Sequence, residues 1–289
     1  GVSSIPGRGT VADRYVLIPG IIGLAAIAVF IWHALYRTDH PLVDLRLFKN
    51  RVVTEVNVTL LVFSAASIGT GLLVPSYFQL ALHQTPMQSG LHMVPVGIGA
   101  VLTMPLAGVF MDRHGPGKIV LIGLPLMAAG LVIFTFGVAR NAEYAPTLLA
   151  GLAIMGLGIG CTTTPLNAAL MQALAPHQIA RGTTLITVNQ QVGGSVGAAL
   201  LAVILTSQFN RNETTISDNK TASLPEDAAR HGPSAIPRQA PNPDFASNVL
   251  HSFSHAYTVV FVVAVALVSF TIIPAAFLPK KPAIPSVDV

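Results

Sequence analysis

Seven times along this chain a stretch of roughly twenty or more apolar residues recurs with almost no charge inside it. That recurrence leaves few folds open, because a hydrocarbon layer about 30 Å thick is crossed by about 20 residues rising 1.5 Å each. The stretches are Tyr15–Tyr36, Thr54–Leu80, Gln88–Met111, Lys118–Val138, Pro146–Gln172, Thr183–Thr206 and His255–Leu278. Ala, Val, Leu, Ile and Gly dominate them without strand-like alternation, which favours helices over a barrel. Only 10% of the 289 residues are charged, against roughly 25% in a soluble domain, and 52% are hydrophobic. The same figures exclude intrinsic disorder. A lone cysteine, Cys161, excludes a disulfide framework and a cysteine metal cluster. The expected fold is an all-α integral membrane protein with seven transmembrane helices.

The net charge of +4 raises the question of nucleic acid, which the placement of the basic residues answers. With the N-terminus outside, the inner loops hold Arg37, Arg46, Lys49, Arg51, Arg113, Lys118, Arg181, Lys280 and Lys281. The short outer segments hold Arg8, Arg14 and Arg140. Nine against three is the positive-inside bias, so the excess charge sets orientation and implies no nucleic-acid partner. Ser207–Ser254 is then a long, Pro-bearing outer loop whose middle is expected to lack fixed structure. Phe245, Val249 and Phe253 at helical spacing mark an amphipathic lead-in to the last span.

Polar residues are unevenly shared. Lys118–Val138 holds only Thr135, and His255–Leu278 little beyond Ser269 and Thr271 in its middle, so these two face lipid or apolar neighbours. Thr54–Leu80 carries Asn57, Tyr77 and Gln79, Pro146–Gln172 carries Thr163 and Asn167, and Thr183–Thr206 carries Asn189, Gln190 and Gln191. Polar groups in hydrocarbon are costly, so these helices should face one another or a watery cavity, with Asn57, Tyr77, Gln79, Thr163, Asn167, Gln190 and Gln191 as the candidate substrate-pathway residues. Isolated Ser and Thr can bond back to their own helix. Three consecutive amides cannot all face one neighbour, so either Gln190 or Gln191 is expected on a substrate path, with Asn189 as interhelical glue. Gly156-Leu157-Gly158-Ile159-Gly160 and Gly193-Gly194-Ser195-Val196-Gly197 contain the GxxxG spacing for close helix contact. Neither follows a strand and no GxxxxGK[ST] exists, so no nucleotide cofactor is expected. No metal site and no acid, base and nucleophile cluster is visible, which argues against an enzyme.

The turn Gly108-Val109-Phe110-Met111-Asp112-Arg113-His114-Gly115-Pro116-Gly117-Lys118 reverses the chain at the inner surface, with Gly115 and Gly117 supplying the needed φ values. Its spacing resembles the G-x-L-x-D-R-x-G-R-[RK] loop of the major facilitator superfamily, with Phe110 and Pro116-Gly117 as departures. Pro41 to Arg51 resembles the inner linker ahead of the last six helices in the fourteen-spanner drug:proton antiporter family. Val188 to Leu200 is similar to that family's thirteenth helix, and His255 to Lys281 to its last span. The resemblance implies that Tyr15–Tyr36 is an inserted helix in a segment 1–51. Residues 52–289 would be the C-terminal six-helix bundle, made of two inverted three-helix repeats. It further implies a conformational-switch loop of Gly108, Asp112, Arg113, Gly115 and Lys118.

A multi-pass protein of the cell membrane is expected, exporting drugs or other amphipathic small molecules by alternating access coupled to protons. The alternatives are an exporter of an endogenous lipid or siderophore, and a non-transporting scaffold fragment. The chain opens on Gly1 with no signal peptide ahead of its first apolar run. It is therefore expected to be the C-terminal part of a longer protein, its partners being the N-terminal half, membrane lipid, substrate and protons. Glu55 and His92 are the candidate proton-linked groups, Glu55 as the sole carboxylate within a span and His92 as an imidazole near the outer end of one. The orientation is open to test: S217C on a Cys161-free background should react with an impermeant thiol reagent only from outside. Labelling only from inside would invert the topology.

Overall fold

The computed structural model describes residues 51–140, 144–174, 179–218 and 243–278. The expected first span, Tyr15–Tyr36, and most of segment 1–51 lie outside the described residues. The described residues are helical apart from short connections such as 81–85 and Gly115. The elements are α1 Arg51–Leu80, α2 Pro86–His92, α3 Val94–His114, α4 Pro116–Ala139, a π-helical turn Tyr144–Leu148, α5 Leu149–Gln172, α6 Ile179–Asp218 and α7 Pro243–Ala275. Six stretches among them are long and apolar enough to cross a membrane, with α2 and α3 together forming one of them, Pro86–His114.

Two boundaries differ from expectation, each for a local reason. The expected single helix Gln88–Met111 is interrupted at Met93, two residues before Pro95, whose ring carries no N–H for the helical ladder. The expected loop after Thr206 is helical as far as Asp218, and α7 begins at Pro243. No Gly or Pro stands between Ser207 and Asp218 to stop the helix. The lead-in residues Phe245, Val249 and Phe253 fall within α7, continuous with the last span.

The packing has an internal exchange symmetry. α1 packs on α6 and α5 packs on α3; α1 also packs on α7, as α5 does on α4; α4 and α7 pack on each other. Swapping α1 with α5, α3 with α6 and α4 with α7 returns the same set of contacts, which is the pattern of two inverted three-helix repeats. Aromatic rings fill the middle. Tyr77 of α1 meets Phe134 of α4 edge-on at 6.0 Å, and Tyr257 and Phe261 of α7 at 5.4 and 6.2 Å. Phe134 and Phe261 close the cluster at 5.2 Å. Edge-to-face rings at such separations attract through their quadrupoles.

Glycine sets the distance between the paired helices. A Cβ on Gly99 of α3 would lie 2.7 Å from the carbonyl oxygen of Ala153 and 3.0 Å from the carbonyl carbon of Gly156, both on α5. Across the other pair, a Cβ on Gly193 of α6 would meet the Leu61 carbonyl oxygen at 2.5 Å, and one on Gly197 would collide with Ala65. Small residues are what allow helices to approach this closely in lipid, where burial of apolar surface gives no advantage. G197V should therefore lower the stability of the purified protein by about 1–3 kcal/mol, the usual cost of overpacking. G71A, whose Cβ meets nothing within 4 Å, should not. Equal thermal midpoints for the two variants would remove the glycine contact from the account.

Candidate functional site

Burial is shared unequally among the spans, and the open faces are where a site must be sought. Half of the most apolar stretch of α1 and of α4 is buried, against 17% for Pro86–His114 and 22% for Gly182–Gln208. α3 exposes Ile98, Val101, Leu102 and Leu106, together with Gly90 of α2 and Gly97 and Gly108 of α3, whose surroundings are empty. On α6 the exposed residues include Thr187, Gln191 and Ser195, at spacings of four, beside Val188, Val192 and Val196. Residues so spaced lie on one helical face. That face of α6 is a polar strip with apolar margins.

The hydroxyls on this strip are satisfied within their own helix. Thr187 Oγ1 donates to the Thr183 carbonyl at 3.1 Å and Ser195 Oγ to the Gln191 carbonyl at 2.7 Å. A carboxamide two methylenes from the backbone reaches further outward, so Gln191 is the group that extends polarity beyond the helix surface. Gln190 is half-buried. Asn189 points to α1 instead, its Nδ2 donating to Asn57 Oδ1 at 2.5 Å. Asn57 is 3% exposed and uses its own Nδ2 on the Val53 carbonyl at 2.8 Å. Every strong hydrogen-bonding atom in this pair but one, Asn189 Oδ1, is accounted for by those two bonds, as a buried polar pair in lipid requires.

The other expected pathway residues part company. Tyr77 sits at 1% exposure in the aromatic core, facing α4 and α7 and away from the open faces. Gln79 is half-buried near the end of α1. Thr163 bonds back to the Ile159 carbonyl at 2.8 Å. One turn further along α5, Asn167 keeps a buried Oδ1 with no hydrogen-bond partner, an arrangement that costs about 1–3 kcal/mol unless something else donates to it. The structure thus brings Asn57 and Asn189 together, leaves Asn167 Oδ1 buried without a partner and puts Gln191 on the exposed face of α6.

In the α3–α4 turn, Asp112, Arg113, His114 and Lys118 are exposed, whereas Gly115, Pro116 and Gly117 are buried. Gly115 has φ 85° and ψ 152° and its N–H returns to the Met111 carbonyl at 2.8 Å. Such backbone is costly for a residue with a Cβ. Asp112 does not cap α4, whose N-cap is Gly115 with no side-chain bond. The charges of the expected switch loop therefore project from a rigid glycine–proline turn.

The two candidate proton-linked groups are far apart. Glu55 lies in the second turn of α1, its Oε1 2.7 Å from Arg51 Nε, an exposed-edge pair. His92 lies at the opposite end of the bundle, where its ring stacks on Tyr144 with centroids 4.0 Å apart and Nδ1 lies 2.7 Å from Gln84 Oε1. Among the described residues no group of three or more His, Cys, Asp or Glu gathers as metal ligands would. The Tyr144–His92 contact joins residues 52 apart, and no local signal in either segment announces it.

Residues 14–198 match the Major Facilitator Superfamily family. The chain belongs to the major facilitator superfamily. It is 59% identical over 287 residues to the Multidrug resistance protein B homolog of Mycobacterium tuberculosis H37Rv, covering 98% of this chain and 53% of that protein. It is 28% identical over 225 residues to the MFS-type transporter YhcA of Bacillus subtilis, covering 78% of this chain and 42% of that protein. In fold it resembles the crystal structure of the E. coli fucose:proton symporter FucP, with a TM-score of 0.53 at 20% identity over 79% of this chain and 49% of that one. The chain thus spans about half the length of the relatives it matches. It is a multi-pass membrane protein of a transporter family, not an enzyme.

The Asn57–Asn189 pair generates a prediction. N189L should lower thermal stability by about 0.6–2 kcal/mol, the range for interhelical hydrogen bonds in membranes. A double-mutant cycle with N57L should return a coupling of the same size. Additive losses would show that the two amides do not act together.

Proposed function

We propose that this chain is the C-terminal half of a fourteen-span exporter of drugs or other amphipathic small molecules at the cell membrane. In this reading it works by alternating access against the N-terminal half and is driven by proton entry. The observation that carries the proposal is the 59% identity, over nearly the whole chain, to a protein named for multidrug resistance. The open faces of α3 and α6 support it, because a cavity between two halves needs one wall from each. α3 supplies an apolar surface with empty glycines for close packing, and α6 supplies the polar strip that a water-accessible path requires.

In this reading Gln191 meets substrate and Asn167 completes its hydrogen bonding with a donor from substrate, water or the other half. Thr163, Gln79 and Gln190 flank the path, and Asn57 holds α1 to α6. Gly108, Asp112, Arg113, Gly115 and Lys118 form the switch turn against which the other half rocks. The proton-carrying acid is assigned to the half outside this chain, because Glu55 is the one Asp or Glu within the six expected C-terminal spans and it stands at the end of α1, paired with the exposed Arg51.

Expressed as the full-length protein, this exporter should lower cellular accumulation of lipophilic cationic dyes, and a proton uncoupler should abolish the difference. The 289-residue chain alone should give none in proteoliposomes. Q191L should alter efflux or its inhibition pattern at least several-fold with protein abundance intact. Efflux by the isolated chain would overturn the two-half scheme, and unchanged efflux in Q191L would take α6 out of the path.

A further inference from the structure

The break at Met93 has an unusual partner. In an unbroken helix the Val96 N–H would bond the His92 carbonyl; here it bonds the Met93 carbonyl at 3.0 Å, and Pro95 has no N–H to give. The His92 carbonyl is thereby released from the helical ladder. It accepts instead from the Tyr144 hydroxyl at 3.1 Å, across to the π-helical turn that leads into α5. The His92 ring lies against the Tyr144 ring, 4.0 Å between centroids at 30°, and against Phe78 of α1 at 5.0 Å. Its Nδ1 is 2.7 Å from Gln84 Oε1, in the turn that precedes α2. One residue at the break is therefore held by its backbone to the turn that leads into α5, and by its ring to that turn and to α1.

The short helix on the far side of the break has its own rigidity. Thr85 caps it through a reciprocal box with Gln88, at 3.3 and 3.0 Å. Ser89 Oγ donates to the Pro75 carbonyl at 3.2 Å, the one side-chain hydrogen bond it makes to the body of α1. Ser89 itself is buried, whereas Met87 and Leu91 on the other faces are 73% and 57% exposed and Gly90 has nothing within 4 Å of its Cβ position. A capped seven-residue helix with one face exposed, joined to α3 through a single residue where i→i+3 bonds replace the regular ladder, is a lever on a hinge.

We propose that Met93–Pro95 is a hinge and that Tyr144, Gln84 and Phe78 clasp the lever Pro86–His92 closed through His92, at the end of the bundle expected outside. Opening the clasp frees the mouth of the α3 face, and closing it ties that mouth to α1 and α5. The inference rests on the exporter reading for its purpose but not for its geometry. Y144F keeps the ring stack and removes only the hydroxyl; H92A removes both ring contacts; P95A restores a helical N–H at the break.

The lever is read directly by spin labels at M87C and R140C in the full-length protein on a cysteine-free background, using distance distributions from pulsed dipolar spectroscopy. The parent should give one dominant distance. Y144F should add a second population, H92A should enlarge it, and P95A combined with Y144F should suppress it again. A distribution unchanged in both Y144F and H92A would overturn the clasp. Because this readout involves no transport, a protein inactive in efflux but responsive in the lever would count against the exporter reading alone.

Discussion

Backbone-to-backbone contact between two helix pairs is the constraint on which the rest of this bundle depends. In lipid the usual reason for helices to associate is missing, since tails are as apolar as Leu, and contact area at van der Waals distance takes its place. Gly99 against Ala153 and Gly156, and Gly193 and Gly197 against Leu61 and Ala65, are positions where a single Cβ would force the helices apart. The same device appears in both of the exchange-related helix pairs, α3 on α5 and α6 on α1. Gly158, against Met127, and Gly130, against Gly151 and Met155, extend it to the α4–α5 contact. Away from those contacts the helices leave room for large rings. Tyr77, Phe134, Tyr257 and Phe261 fill the space between α1, α4 and α7, where no glycine draws the backbones together.

Tight packing on one side has a consequence on the other. α3 and α6 each use a narrow small-residue face to reach their partner, which leaves the rest of their circumference uncovered. On α3 that remainder is apolar and includes two glycines with empty surroundings, Gly97 and Gly108; on α6 it carries Thr187, Gln191 and Ser195. The two repeats share a fold and a packing scheme but present different chemistry on equivalent faces. One face suits contact with another helix, and the other suits contact with water or a polar solute.

Much of this was legible beforehand, and the reasons for the exceptions are physical. Span length and apolarity located six helices because the bilayer imposes both. The glycine motifs announced close contact because only small residues permit it. Tyr77 counted among the polar residues of its span, yet its ring seats it in the core, a choice that composition cannot reveal. Asn57 and Asn189 pair across 132 positions; each read as a polar residue in a span, but nothing local said which would meet which. The interruption at Met93 follows from Pro95, but Pro75, Pro105, Pro125, Pro165 and Pro274 lie inside unbroken helices. Proline alone did not single out the break.

The three consecutive amides of α6 show how a helix assigns roles that a sequence only permits. Each step turns about 100°, so Asn189 and Gln191 stand roughly 200° apart and cannot share a neighbour. Asn189 is on the side that Gly193 and Gly197 press against α1, and there a short side chain fits and finds Asn57. A glutamine at that place would add a methylene to a contact already closed at backbone distance. Gln191 has the opposite surroundings, an open face with hydroxyls that bond inward, so its greater length carries the amide out to whatever lies opposite. The order Asn-Gln-Gln therefore matches side-chain reach to the distance of the neighbour, and reversing the first and third amides would spoil both positions at once.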